Sequence, residues 1–280
     1  MASPELTDPR SARVRRLRRL ARRASRAEER QFLAEGAQVV REALRAHSEG
    51  SAHVIQLIVS TDASLRQSDL IDAAQAANVS ISWASDRVLA ALTETVTPQG
   101  LVAVVEYLDV GLAEMIAQEP RLVAVLADVR DPGNAGSVIR AADAAGADAV
   151  IFAGDSVDPY NGKAVRASVG GIFHLSVVTG VSVPETLIAL RNGQLTVLAA
   201  DGSGDVDLDT AQLDSSSAAW VFGNEAWGVP DAVLAVADAA VRIPIYGKAE
   251  SLNLATAATL CLYASARAQR SGGTGPVGAS

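Results

Sequence analysis

The sequence predicts an α/β protein, with a C-terminal domain built on a parallel sheet and a smaller α/β domain before it. Three observations carry this expectation. Beyond residue 120, continuous apolar strands alternate with helical segments, which is the pattern of a parallel sheet covered on both faces. Before residue 109, shorter strands and helices follow an arginine-rich start. The composition, 49% hydrophobic and 20% charged, is that of a globular chain. Aromatic residues make up only 4%, so the cores must rest on Ala, Val, Leu and Ile.

The elements follow in order. Residues 10–46 read as helix, broken once at most: Val14, Leu17, Ala21 and Ala24 recur at helical spacing, and Phe32, Leu33, Val39, Val40 and Leu44 continue the stripe. Residues 53–60 read as a strand, 67–77 as a helix, 79–83 as a strand, 85–93 as a helix and 101–107 as a strand, the last entered through the turn Thr97-Pro98-Gln99-Gly100. This first domain spans 1–108, and a helical linker near 110–118 lies within residues 109–120. The second domain, 121–270, has strands at 121–127, 147–152, 174–178, 195–200, 218–222 and 240–245. Helices are expected at 136–145, 183–191, 229–237 and 253–270. The Gly- and Ser-rich tail, 271–280, is expected to be disordered.

Charge is unevenly spread. The chain carries a net −8, yet residues 1–30 hold ten arginines against four acidic residues, a net of +6, which leaves −14 for the remainder. A concentrated basic segment on an acidic body is a patch signal for nucleic-acid backbone. Arg15, Arg16, Arg18, Arg19, Arg22 and Arg23 are its candidate phosphate contacts; the alternative is a solvated helix face. Cys261, the single cysteine, excludes an intramolecular disulfide and reads as a small core residue on a helix. The three histidines, His47, His53 and His174, lack metal-ligand spacing, so no metal is expected. With no signal peptide and no apolar run of membrane length, a cytoplasmic protein is expected.

Loops at the carboxyl ends of parallel strands are where such sheets bind ligands. Three of them carry polar residues an ordinary connection does not need. The first runs from Asp128 through Pro132-Gly133-Asn134-Ala135-Gly136 to Arg140; it lacks a dinucleotide fingerprint, and by itself reads first as a turn with Asn134 as helix cap. Arg140 is read as one turn into the following helix, able to face back to the loop. The second is Gly223-Asn224-Glu225-Ala226-Trp227-Gly228, where the bland reading is a strand-to-helix turn with a capping acid. Trp227 is read as packing, with base stacking as its alternative. The third, Ile243-Pro244-Ile245-Tyr246-Gly247-Lys248-Ala249-Glu250-Ser251-Leu252-Asn253, ends on Ser251 or Asn253 as a helix cap.

In this order and spacing the three loops resemble the signature motifs of the SpoU/TrmH family of the SPOUT superfamily, RNA ribose 2′-O-methyltransferases. Asp158-Pro159-Tyr160 leading to Lys163, Arg166, Ser168 and Gly170 is similar to a further family segment. The arginine-rich helix, Phe32-Leu33-Ala34-Glu35-Gly36 and Thr97-Pro98-Gln99-Gly100 look like the RNA-binding domain of the two-domain members. Ala226 stands where glycine is frequent in relatives, a mild departure.

The resemblance implies a deep trefoil knot in the C-terminal domain, a homodimer whose active site draws on both subunits, and S-adenosylmethionine as cofactor. Carried over by position, Gly223, Asn224, Ile243 and Leu252 should line the cofactor pocket, with the strand end Ala199-Ala200 beside them. Arg140, Asn134, Glu225, Ser251 and Asn253 are the implied catalytic residues, and Arg166 joins the RNA contacts. A guanidinium is too basic to act as a literal base, so Arg140 is assigned to hold an RNA phosphate and favour the developing alkoxide. The two-domain layout, shared with thiostrepton-resistance and 23S guanosine methyltransferases, favours ribosomal RNA over transfer RNA. A non-catalytic RNA-binding assembly factor is the rival from another class, opposed by the intact polar positions.

Overall fold

The computed structural model describes residues 5–213 and 216–271, so the predicted disordered tail lies outside the described residues apart from Ser271. The described residues form two compact units, one within 5–108 and 158–174, the other within 109–157 and 175–271.

The first unit opens with α1 (Ala12–Arg19) and α2 (Arg23–Glu29), followed by β1 (Gln31–Glu35), α3 (Ala37–Glu49), β2 (Val54–Val59), α4 (Thr61–Arg66), α5 (Ser68–Ala76), β3 (Ser80–Trp83), α6 (Asp86–Leu92) and β4 (Leu101–Glu106). Its four-stranded sheet has the order β1-β4-β2-β3. The long helix expected over 10–46 is therefore three helices and a strand. Arg30 takes a left-handed conformation (φ 52°) and ends α2. Residues 31–35 then pair antiparallel with β4, Phe32 opposite Val105 and Ala34 opposite Ala103. Their apolar residues fit helical spacing, but pairing with a buried partner strand overrides it. The two first-domain motifs meet at this strand end: Gly36 N donates to Leu101 O (3.2 Å), and Gln99 Oε1 accepts from Ala37 N (2.8 Å) at the start of α3.

The arginine-rich α1 is tethered by its apolar stripe. Val14, Leu17 and Leu20 are buried against Val88, Leu89 and Leu92 of α6 and Val102 and Val104 of β4. Burying each such side chain contributes about 1.5–3 kcal/mol, enough to hold a helix whose other faces are cationic.

The second unit contains α7 (Leu112–Ala117), β5 (Leu122–Ala127), α8 (Pro132–Ala145) and β6 (Ala149–Ala153). After β6 the chain enters α9 (Gly162–Ser168), which belongs to the first unit, then returns as β7 (Ser176–Val181), α10 (Val183–Asn192), β8 (Thr196–Ala200), β9 (Val206–Asp207), β10 (Ala218–Phe222), α11 (Asp231–Leu234), β11 (Ala239–Arg242) and α12 (Leu254–Ser271). The sheet is parallel throughout, in the order β7-β6-β5-β10-β8-β11-β9. Every residue of β5 and β10 is buried, as expected of central strands covered on both faces. Trp220 is fully buried on β10 and satisfies its indole N–H on Ser265 Oγ of α12 at 2.9 Å.

Two segments differ from the expected layout. The helix read as a linker is a layer of the second unit, with Leu112 and Met115 in its core. Residues 158–174, read as part of the C-terminal domain, cluster with the first unit. A buried ion pair explains the latter: Arg26 Nε and Nη2 donate to Asp158 Oδ2 at 2.9 and 2.7 Å, while Nη1 donates to the Leu20 and Ala21 carbonyls, both at 2.8 Å.

Candidate active site

Loop one begins earlier as a helix than its composition suggests. Asp131 is the N-cap of α8, its side chain accepting from Asn134 N (2.7 Å), and Pro132 occupies the first turn. The Pro-Gly-Asn-Ala-Gly stretch is thus helical, and Asn134 is freed from the capping role that a turn reading would give it.

Its amide is used otherwise. Asn134 Nδ2 donates to Glu225 Oε1 (3.1 Å), and Asn134 Oδ1 accepts from Asn253 Nδ2 (2.9 Å). Three loops, separated by 91 and 119 residues in sequence, therefore meet in one hydrogen-bonded chain. Glu225 also accepts from the backbone N–H groups of Arg130 (3.4 Å) and Asp131 (3.3 Å), placing its carboxylate at the N-terminal end of α8, where negative charge is favoured. Asn253 Oδ1 accepts from Ala255 N (2.9 Å) at the start of α12, so this side chain caps its helix and fixes the Asn134 amide at once.

Asn224 is largely buried and holds the loop rather than offering a free group. Its Nδ2 donates to Asp128 O (2.7 Å), its Oδ1 accepts from Ala226 N (2.8 Å), and its backbone exchanges two 2.9 Å bonds with Gly228. Gly223 is required here: a Cβ at that position would lie 2.1 Å from Gly228 O.

Beside this network lies a cavity of about 790 Å³. Gly223, Asn224, Ala200, Ile243 and Leu252 line it together with Asn134, Glu225, Ser251 and Asn253. That volume falls in the range of small-molecule sites; the glycine at 223 is needed for the close packing of the Gly228 backbone that shapes one side of it.

Three expectations are corrected. Ala199 is fully buried in the core and outside the lining, because alternate residues of β8 face opposite ways; Ala200 is the one that reaches the cavity. Arg140 is exposed and likewise outside the lining. The early start of α8 puts Arg140 more than two turns into the helix instead of one. Trp227 is 59% exposed, which overturns the packing reading.

Asp201, Arg242 and Glu250 also line the cavity and were missed from sequence. Asp201 follows β8 directly, and the strand-end position was the signal that pointed to it. Among the described residues, no group of three or more His, Cys, Asp or Glu side chains is arranged to hold a metal ion. Cys261 is buried on α12, and burial pushes its thiol up to about 12.

In the first unit, Arg15, Arg16, Arg18, Arg19 and Arg22 line a groove of about 800 Å³ floored by Ala91, Leu92 and Thr93. Arg23 is exposed but lies outside that lining. Arg16 and Arg19 reach Glu29 at 2.5 and 3.7 Å, and the Arg16 hydrogen bond holds the Glu29 carboxyl below its usual range. Arg166 is engaged by Glu35 (2.9 Å) and Glu94 (3.9 Å), which makes its guanidinium a structural ion partner and removes it from the open contacts.

Residues 121–263 match the SpoU rRNA Methylase family, and residues 11–103 match the MRM3-like substrate binding domain. The chain is 36% identical over 233 residues to the 23S rRNA (guanosine(2553)-2′-O)-methyltransferase RlmP of Bacillus subtilis, covering 83% of this chain and 87% of that protein. It is 34% identical over 199 residues to the 23S rRNA (uridine(2479)-2′-O)-methyltransferase of Streptomyces viridochromogenes, 69% of each. An AdoMet-bound rRNA methyltransferase from Sinorhizobium meliloti has the same architecture, with a TM-score of 0.82 and 30% identity across 94% of this chain and 97% of that one.

Proposed function

The chain belongs to the SpoU rRNA methylase family, and we propose on that premise that it methylates a ribose 2′-hydroxyl of 23S ribosomal RNA, with S-adenosylmethionine as donor. The observation that carries the proposal is the Glu225–Asn134–Asn253 chain at the mouth of the 790 Å³ cavity.

When bound, S-adenosylmethionine supplies a methyl carbon already activated by its sulfonium. Gly223, Ala200, Ile243 and Leu252 would hold it, offering backbone at the strand end and apolar walls. The protein's task is then alignment, which can contribute up to about 7–11 kcal/mol when the reacting atoms are held close. Asn134 is suited to that task because both ends of its amide are fixed, one by Glu225 and one by Asn253. Ser251 is exposed on the lining and is assigned to hold the acceptor nucleotide.

Arg140 is assigned to a phosphate of the acceptor and to the alkoxide that develops as the hydroxyl loses its proton. Its exposure outside its own cavity favours action in the site of a second copy, so the working form is a homodimer. Leu260 and Tyr263 of α12, 40% and 38% exposed, offer apolar surface for that pairing. The deep trefoil knot of the family belongs to the same reading; it is supported by β10 lying between β5 and β8 while α12 packs back on α8 and β5. The first unit's arginine-lined groove is assigned to RNA phosphates. No helix among the described residues is long and apolar enough to cross a membrane. The assigned place of action is the cytoplasm, which follows from the ribosomal RNA acceptor proposed.

The test is to map 2′-O-methyl marks on 23S ribosomal RNA from cells with and without the protein, and to restore the missing mark in vitro with purified protein and labelled donor. A mark that depends on the protein and is restored by it supports the proposal. An unchanged map, with no label transferred to unmodified RNA, refutes it.

A further inference from the structure

The geometry points to Trp227 as the platform on which the base of the target nucleotide stacks. This inference rests on the RNA methyltransferase reading above and adds the residue that takes the base. The chain has few aromatic side chains, and its other tryptophans are placed differently: Trp220 is fully buried and Trp83 is partly buried on β3. Trp227 alone of the three is mostly open to solvent.

The loop that presents it is fixed. The two bonds between Asn224 and Gly228 close a tight hairpin around residues 225–227, and Gly228 has the φ of 72° that the turn requires. Asn224 ties this hairpin to Asp128 O at 2.7 Å. The indole, 59% exposed, is thus carried on a backbone already closed by hydrogen bonds, so a ring stacking on it meets a preformed support.

Its neighbours decide what it binds. The Arg130 guanidinium lies 5.5 Å from the ring centroid and also approaches Asp155 at 3.7 Å. The backbone N–H of Arg130 donates to Glu225 Oε2 at 3.4 Å, the carboxylate that orients Asn134. The ring is therefore joined through one residue to the catalytic network, and it stands in polar company, unlike a patch made for an apolar protein partner. A nucleobase fits: every base has a π-face, an indole beside a guanidinium offers stacking and cation–π attraction together, and RNA is commonly read through bases splayed out of the helix. Trp227 is not part of the cavity lining, so an occupied cofactor site leaves it open.

The experiment compares wild type, Trp227→Ala and Trp227→Phe, using 23S ribosomal RNA from cells that lack the protein as acceptor. Stacking of one base predicts that Trp227→Ala raises KM for RNA by about 5- to 150-fold, with the Kd for S-adenosylmethionine unchanged, and that Trp227→Phe recovers most of the loss. In the wild type, RNA should quench indole emission, and in Trp227→Phe that quenching should disappear. The quenching readout also stands if the alanine variant fails to fold. Wild-type KM and kcat in Trp227→Ala, failure of phenylalanine to rescue, or undiminished quenching without Trp227 would each overturn the inference while leaving the methyltransferase reading intact. A wild-type chain that transfers no methyl group to that RNA would instead overturn the underlying reading, and this inference with it.

Discussion

The two units use polar side chains in opposite ways. In the second, Glu225, Asn134 and Asn253 spend their hydrogen-bonding capacity on one another and on helix ends, so the geometry is set before any ligand arrives. In the first, Arg15, Arg18, Arg22 and Arg23 are exposed, and no ion pair of theirs occurs among the described residues. One region is built for position and the other for field. The exception sharpens the point: Arg26 belongs to the same arginine-rich run, yet it is buried against Asp158 and does structural work. Ten arginines in a row of thirty residues are thus several populations, separated by burial.

The largest effect should come from breaking that exception. Arg26→Ala leaves Asp158 buried without its cation and the Leu20 and Ala21 carbonyls without their donor. Removing one partner of a buried pair costs about 3–5 kcal/mol, and chemical denaturation should show a loss of that size. An exposed arginine such as Arg18→Ala should lose almost nothing. Equal losses would erase the distinction between the buried and the exposed arginines.

Arg140→Ala tests the other side of the comparison. It should lower methyl transfer by about 10²–10³-fold, the usual effect of losing a donor aimed at developing charge, while calorimetry shows cofactor affinity nearly intact. Lost cofactor binding would refute the division of labour. Mixing Arg140→Ala chains with chains disabled at Asn134 should restore part of the activity if the arginine serves a second copy, and no restoration would count against action across subunits.

Glu225→Gln is expected to be milder. The carboxylate becomes an amide of the same shape, keeps an acceptor for Asn134 and loses its charge at the α8 N-terminus. A hydrogen bond to a charged group contributes about 1.5–3 kcal/mol, so kcat should fall roughly 10- to 150-fold, with stability reduced by a smaller amount because the site is exposed. A variant with full activity would show that the network is structural alone.

Much of this was legible in the chain, and the failures share a cause. The central strands of the second sheet are continuous apolar runs, and β5 and β10 form where those runs lie. The strand β1 was not legible, because Phe32, Leu33, Val39 and Val40 satisfy helical spacing while the deciding contact, β4, lies 70 residues away. The three polar loops were recognised as motifs, yet their joining through the Asn134 amide depends on the early start of α8 at Pro132, which one cap, Asp131, decides. That same shift puts Arg140 more than two turns into the helix. The ion pair between Arg26 and Asp158 had no local signal at all, since 132 residues separate its partners.

The smallest predicted effect sharpens the contrast inside the arginine-rich segment itself. Deleting the whole segment would pull Val14, Leu17 and Leu20 out of the core, so substitutions are the cleaner probe. Arg15 and Arg18 lie three residues apart on α1 and Arg22 stands at the start of α2; all three line the groove and are open to solvent. Arg16 and Arg19 are tied to Glu29. Counterion release makes the logarithm of RNA affinity fall with the logarithm of salt, by about 0.7–0.9 per phosphate neutralised. Changing Arg15, Arg18 and Arg22 to Gln should therefore flatten that slope by roughly two to three, whereas changing Arg16 and Arg19 should flatten it by less than one per residue, because Glu29 already offsets part of their charge. If the two sets flatten the slope equally per residue, Glu29 does not divide these arginines into separate populations, and the basic segment acts as an undifferentiated cloud of charge.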